Sequence, residues 1–361
     1  MKSLARTSMR LNKGRRLAGG CSIVCAAAVA ISSSQAKGQA LDERESRFLS
    51  NVVQVTDRSM GFTKAGEAYF SPDGRSIIFQ AVPDKPGLGE NDYQIYTMDL
   101  TERKPKMVST GRGACTCAFF HPGGRKIIFA SSHLDPDPDR PKPAREGGYA
   151  WDFNEHMDIF EAEPDGTELK RLTEAPGYDA EGSYSPDGKQ IVFTSQRDGD
   201  LEIYVMSADG SNPRRLTFGP GYDGGPFFSP DGSTILYRGD RRGDGKMNLQ
   251  IRMVGGDGSN DRPITDNPVF NWCPYWYPNG RSFIFTQADH DAYAKGGKPN
   301  YDLFMMSADG NEPIRVTFDA GFDGLPVFSP DGKRLMWTSK RGGLDEAQVF
   351  VAVFRLPDPL R

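Results

Sequence analysis

Residues 178–217 read YDAEGSYSPDGKQIVFTSQRDGDLEIYVMSADGSNPRRLT, and at Tyr222 the chain begins the same phrase again with YDGGPFFSPDG. Within this stretch, 185–188 (SPDG) places Pro where a tight turn needs a pre-set backbone angle and Gly where it needs relief. It therefore predicts a hairpin. Before it, 182–185 reads as an inner strand a; after it, Gln190–Ser195, rich in β-branched and aromatic residues, reads as strand b. A polar loop at 196–200 leads to strand c at 202–206, Ala208-Asp209-Gly210 makes a second turn, and 214–217 is an outer strand d. Four short antiparallel strands form one self-contained sheet.

The phrase recurs along the chain. With the turn proline as marker, it stands at Pro72, Pro122 (as HPGG), Pro186, Pro230, Pro278 (as YPNG) and Pro330, at intervals of 50, 64, 44, 48 and 52 residues. Six mostly-strand units of that length predict an all-β fold, a six-bladed β-propeller of four-stranded antiparallel blades. Gly (41) and Pro (26) make about 19% of the 361 residues, a turn density that argues against a helical bundle. The last unit supplies strands a, b and c, with c at Gln348–Phe354, and no d strand follows. The segment 52–56 (VVQVT) has the d pattern and precedes the first a strand. It is expected to pair with the last c strand, closing the ring and satisfying its open edge.

The sequence SPDG, a strand, a DIY-like strand, ADG and RLT closely resembles the TolB-type (WD40-like) propeller repeat, over nearly all of residues 50–355. The resemblance implies the fold and an exported, periplasmic or secreted, setting; the lack of a catalytic set in the sequence points to a non-enzymatic binding module for an envelope protein or glycan. It covers the propeller part only, without the α/β amino-terminal domain that TolB carries. Related propellers cap prolyl-oligopeptidase hydrolases, but no Gly-x-Ser-x-Gly elbow occurs in this chain.

Residues 1–40 hold Lys2, Arg6, Arg10, Lys13, Arg15, Arg16 and Lys37 with no acid, and 17–31 is apolar or small. This pattern predicts a signal peptide at 1–40, cut after Ala40 with Ala36 as the alternative, ahead of a propeller at 41–361. Losing those seven cations from 44 leaves 37 basic against 48 acidic residues, a net charge of −11. Such a balance disfavours nucleic acid as a partner. No apolar run reaches about 20 residues, so no membrane span is expected. Of five cysteines, Cys115, Cys117 and Cys273 follow the leader. So few imply a fold held by its core rather than by disulfides, and a monomer is expected.

In a propeller the d-to-a and b-to-c connections emerge around one mouth of the central channel, where a rigid scaffold converges its loops. Six residues before each turn serine, or its replacement, stand Ala65, Cys115, Asp179, Asp223, Asn271 and Asp323; two residues later come Glu67, Cys117, Glu181, Gly225, Cys273 and Leu325. The candidate binding residues are therefore Glu67, Asp179, Glu181, Asp223, Asn271 and Asp323. Their carboxylates are expected to converge as an acidic funnel for a basic partner, a sugar or a divalent cation such as calcium, although acids also favour such turns through local hydrogen bonds. No resident cofactor is expected.

The b-to-c insertion 131–157 of the second unit accounts for the 64-residue interval, and a shorter one occupies 287–301 in the fifth, opposite it. Tyr149, Trp151 and Phe153 suit the first as an ordered lid. His133, His156 and His290 lie in these insertions beside Asp135, Asp137, Asp289 and Asp291, a plausible but motif-free metal set. They leave open an alternative from another class, a metal-dependent polysaccharide lyase or hydrolase. Cys115 and Cys117, two apart, do not match zinc-ribbon spacing and read as packed thiols.

Overall fold

A computed structural model describes residues 41–85, 88, 92–137, 153–241 and 248–360. The expected leader, Tyr149, Trp151 and most of the 131–157 insertion lie outside the described residues. The chain forms six four-stranded antiparallel sheets arranged as the blades of a propeller. In the third blade the strands are Asp179–Tyr184, Gln190–Ser195, Glu202–Ser207 and Arg214–Arg215, hydrogen-bonded in that order from the axis outward. The inner strand is longer than the sequence suggested, because a bulge between Ala180 and Ser183 lets pairing resume toward the channel mouth.

Each turn is held as its residues dictate. The Gly188 amide donates to the Ser185 carbonyl at 2.8 Å with Gly188 at φ 71°, a left-handed position that glycine tolerates. Ser185 Oγ donates to Asp187 Oδ1 at 2.7 Å and accepts from the Gln190 amide at 3.0 Å. The same bonds recur at Ser71 with Asp73, Ser229 with Asp231 and Ser329 with Asp331.

The RLT element works at the other end of the blade. Thr217 Oγ1 accepts the Ile203 amide at 2.9 Å and donates to Glu202, which also receives Arg215. Thr173, Thr265 and Thr317 accept the amides of Ile159, Ile251 and Leu303 in the same way. In the sixth blade that role falls to Thr56. The N-terminal strand is Leu49–Gln54, three residues earlier than expected at its start, and it pairs antiparallel with Gln348–Phe354. Thr56 therefore follows its strand as Thr217 follows Arg214–Arg215, and the ring is closed by the two ends of the chain.

Successive residues of a strand point to opposite faces, so each blade packs on both neighbours. Ile191 and Phe193 meet Ile128 and Ile159 of the second blade, whereas Val192 meets Ile235 and Tyr237 of the fourth. Leu236 and Ile251 of the fourth blade pack in turn on Phe283 and Phe285 of the fifth. At about 1.5–3 kcal/mol for each such side chain, these inter-blade seams are the core. No helix among the described residues is long and apolar enough to cross a membrane.

Candidate functional site

The second register of candidate residues has a common backbone. Glu67, Cys117, Glu181, Gly225, Cys273 and Leu325 all occupy left-handed conformations, with φ of 43°, 53°, 57°, 59°, 50° and 54°. Each lies in the irregular stretch of its inner strand, for example between Ala180 and Ser183 or between Gly324 and Val327. A left-handed non-glycine residue costs about 1–2 kcal/mol, and a bulge re-aims its side chain. Here the bulge directs all six positions into the channel, where they line a cavity of about 620 Å³.

Two residues further along the same strands the channel is closed. Tyr69, Phe119, Phe227 and Tyr275 meet on the axis: Tyr69 and Phe119 at 5.1 Å between ring centroids, Phe227 and Tyr275 at 5.1 Å. Tyr69 and Phe227 come from opposite blades and still lie 5.8 Å apart, so no passage remains between them. The cavity is a funnel with an aromatic floor. Tyr178, Phe270, Trp272, Tyr301 and Phe322 form much of its upper wall, with Lys64 and Lys340 among its lining residues.

One polar cluster dominates the depth. Glu181 accepts from Thr194 Oγ1 at 2.8 Å, the Tyr222 hydroxyl at 3.0 Å, the Gly225 amide at 2.7 Å and Arg238 Nη2 at 2.5 Å. Arg238 enters from strand b of the fourth blade, and the space for it exists because position 225 is glycine. A Cβ there would stand 1.9 Å from Arg238 Nη1. Burial pushes the Cys117 and Cys273 thiols well above their ordinary range and raises Glu67 to about 7. Cys115 also stays thiol, raised by burial to about 11, and none of the three is in a disulfide.

The first register of candidates is placed differently from the expected acidic funnel. Asp179, Asp223 and Asp323 are each ion-paired with an arginine one or two residues past strand b: Arg197 at 3.0 Å, Arg241 at 2.5 Å and Arg341 at 2.9 Å. All three aspartates are buried, so each needs a partner charge and takes it from its own blade. For Asp179 and Asp223, burial raises the pKa against the lowering pull of the arginine. Asn271 bonds instead to Gln250 and Gln287, on strands Gln250–Gly255 and Ser282–Ala288, and to Asn267 in the loop before its own strand. Of the six candidates, only Glu67 and Glu181 line the cavity. Sequence reasoning missed Arg238, whose signal was an arginine in the otherwise apolar strand ILYRG, and missed the paired arginines in TSQR, GDR and TSKR.

Phe153, the described member of the expected lid, packs its ring 5.2 Å from Tyr178 and 5.7 Å from Tyr222, against the funnel wall. The three histidines take separate partners. His133 Nδ1 lies 2.9 Å from Ser131 Oγ, His156 Nε2 lies 3.8 Å from Asp135, and His290 stacks on Phe270 at 4.2 Å with Nε2 2.8 Å from the Tyr301 hydroxyl. Among the described residues, no three His, Cys, Asp or Glu side chains gather as a metal site.

The TolB beta propeller domain family matches residues 149–292. A TolB homolog of Chlorobium luteolum is 27% identical over 169 residues, 45% of this chain and 36% of that protein. The Tol-Pal system protein TolB of Bordetella pertussis is 46% identical over 39 residues, 11% of this chain and 9% of its own length. The matches thus span about a third or less of these curated relatives. The solved structure of a TolB-type protein from Agrobacterium tumefaciens superposes with a TM-score of 0.59 at 22% identity, covering 84% of this chain and 97% of its own. That likeness is one of fold.

Proposed function

From the premise that this chain is a TolB-type six-bladed β-propeller, we propose that it is an exported binding module that receives part of an envelope protein or glycan in the funnel at its channel mouth. The observation that carries this reading is the form of the cavity: closed below by four aromatic rings, walled by aromatic side chains, and furnished with a few convergent polar groups. Binding sites have this constitution. Its chemistry supports binding rather than turnover. All three funnel thiols, Cys115, Cys117 and Cys273, are held protonated, which removes the thiolate a nucleophile requires, and Glu181 is saturated by donors.

Leu325→Trp fills the funnel from a half-buried position on its wall, which packs on the aromatic cluster on one side and faces the cavity on the other. Parent and variant are to be immobilised and offered envelope extract divided into a protease-treated glycan fraction and a glycan-free protein fraction. The parent should retain a component from one fraction and the variant should not, at unchanged melting temperature. Equal retention by both proteins would place the binding surface elsewhere.

A further inference from the structure

Of the three acidic residues that line the funnel, Glu67 and Glu181 occupy equivalent bulge positions and have opposite circumstances, while Glu346 pairs with Lys340. Glu181 has four donors, one of them the guanidinium of Arg238. Glu67 faces the Cys117 thiol and the Tyr69 phenol, which pull its pKa down against burial, and no ion pair joins it to a cation among the described residues. Its backbone amide is tied to Thr338 Oγ1 at 3.0 Å, and φ of 43° turns the carboxyl into the cavity. A carboxyl there is costly to ionise, because protein surrounds it and Glu181 repels it.

The charge count of the deep chamber follows from the groups that face Glu67. Arg238 and Glu181 cancel. Burial holds Tyr69, Tyr275, Cys117 and Cys273 neutral. Lys64 lies with its Nζ 5.0 Å from the centroid of the Tyr93 ring, and Lys340 lies 3.5 Å from Glu346. Glu67, Glu181 and Arg238, the charges that act on one another at this point, are together neutral when Glu67 is protonated and carry one negative charge when it is ionised; the Lys64 cation and the Lys340–Glu346 pair are the other charged lining groups. A single cation can replace the proton without leaving charge uncompensated. The aromatic wall above suits the apolar stem of such a group and the field of an ammonium.

Resting on the funnel as the binding site, we propose that its deep end takes a primary ammonium group on Glu67, in exchange for a proton released to solvent. A lysine side chain and an amino sugar both present that group, and the test separates them. The probes are acetyl-Ala-Lys-Ala-amide and its ε-acetyl-lysine twin, and glucosamine with N-acetylglucosamine, each at millimolar concentration. Binding is measured calorimetrically at pH 6 and pH 8 in two buffers of different ionisation enthalpy.

One ammonium probe should bind at least tenfold more tightly than its acetylated twin, and which one does so identifies peptide or sugar as the source. For the lysine peptide, whose ammonium is charged at both values, binding should be about tenfold weaker at pH 6 than at pH 8, releasing about one proton at pH 6 and almost none at pH 8, as a group of pKa about 7 requires. Glucosamine, whose own amine loses its proton toward pH 8, is read at pH 6, where about one proton should also be released. Glu67→Gln should remove both the pH dependence and at least tenfold of the affinity, with a melting temperature no lower than the parent's. The proposal is overturned if neither ammonium probe binds, if no proton is released at pH 6, or if Glu67→Gln keeps parent affinity. An acetylated twin that binds as tightly as its parent probe, and is lost in Leu325→Trp, would overturn the ammonium while leaving the funnel as the site.

Discussion

The Val349 amide donates to Thr56 Oγ1 at 2.9 Å, joining residues 293 apart in sequence by the same bond that Ile203 makes with Thr217 only 14 residues away. Thr56 also donates to Gln348 Oε1 at 2.9 Å. The N-terminal strand thus enters the sixth blade as a genuine d strand. Thr56→Val keeps the shape and leaves the buried Val349 amide and Gln348 carbonyl without partners, which should cost about 1–3 kcal/mol in urea unfolding. Thr101→Val, at an exposed turn, should stay within about 0.5 kcal/mol. Equal costs would mean that the ring is fastened by other contacts.

The ion pairs beneath the rim should rank by burial. The Arg341 side chain is 6% exposed and lies between Asp323 and Glu45, whereas that of Arg197, bound to Asp179, is 17% exposed. Asp323→Asn leaves the buried Arg341 with Glu45 as its one remaining counterion and should cost more than Asp179→Asn, where Arg197 can turn to water. Thermal unfolding of the two variants decides the order; the reverse order would contradict the placement of Arg341.

Gly225→Ala tests the room made for Arg238. Gly124 has a similar φ, 69° against 59°, but an added Cβ there meets open space. Gly124→Ala therefore measures backbone strain alone. Gly225→Ala should exceed it by about 1–3 kcal/mol, because the guanidinium must move. Matching costs would show that Arg238 does not fill that space.

Glu67 should also appear in stability against pH. Its pKa is raised from 4.5 to about 7 in the folded chain, so folding is favoured while both states are protonated and loses ground as pH rises from 4.5 through 7. Glu67→Gln lacks this loss. At pH 8 it should be more stable than the parent by about 3 kcal/mol, and at pH 4 equal to it. A gain of the same size at both values would locate the effect in packing rather than in charge.

Much of this architecture was legible because it rests on local chemistry. Ser185-Pro186-Asp187-Gly188 makes its turn from its own side chains, and the Thr of RLT bonds within its blade, so repetition alone announced six blades and their closure. The site was less legible because it depends on direction and distance. Nothing local says that the bulge at Glu181 points its side chain to the axis while Asp179, two residues earlier, turns to Arg197. Nor does the sequence give the channel radius at which Tyr69 and Phe227 touch, and so close the floor. Arg238 reaches its place only through the missing Cβ of Gly225, a relation between strands rather than along one.

The claim that the funnel receives a partner is tested most directly by photo-crosslinking in the native host. A photoreactive phenylalanine analogue is placed at position 325, on the funnel wall, and in a second strain at position 353, an exposed site on strand Gln348–Phe354. Adducts are then identified by mass spectrometry. A single envelope component joined at position 325 and absent from position 353 is the expected result. No adduct at 325, or the same adducts from both positions, would contradict the account.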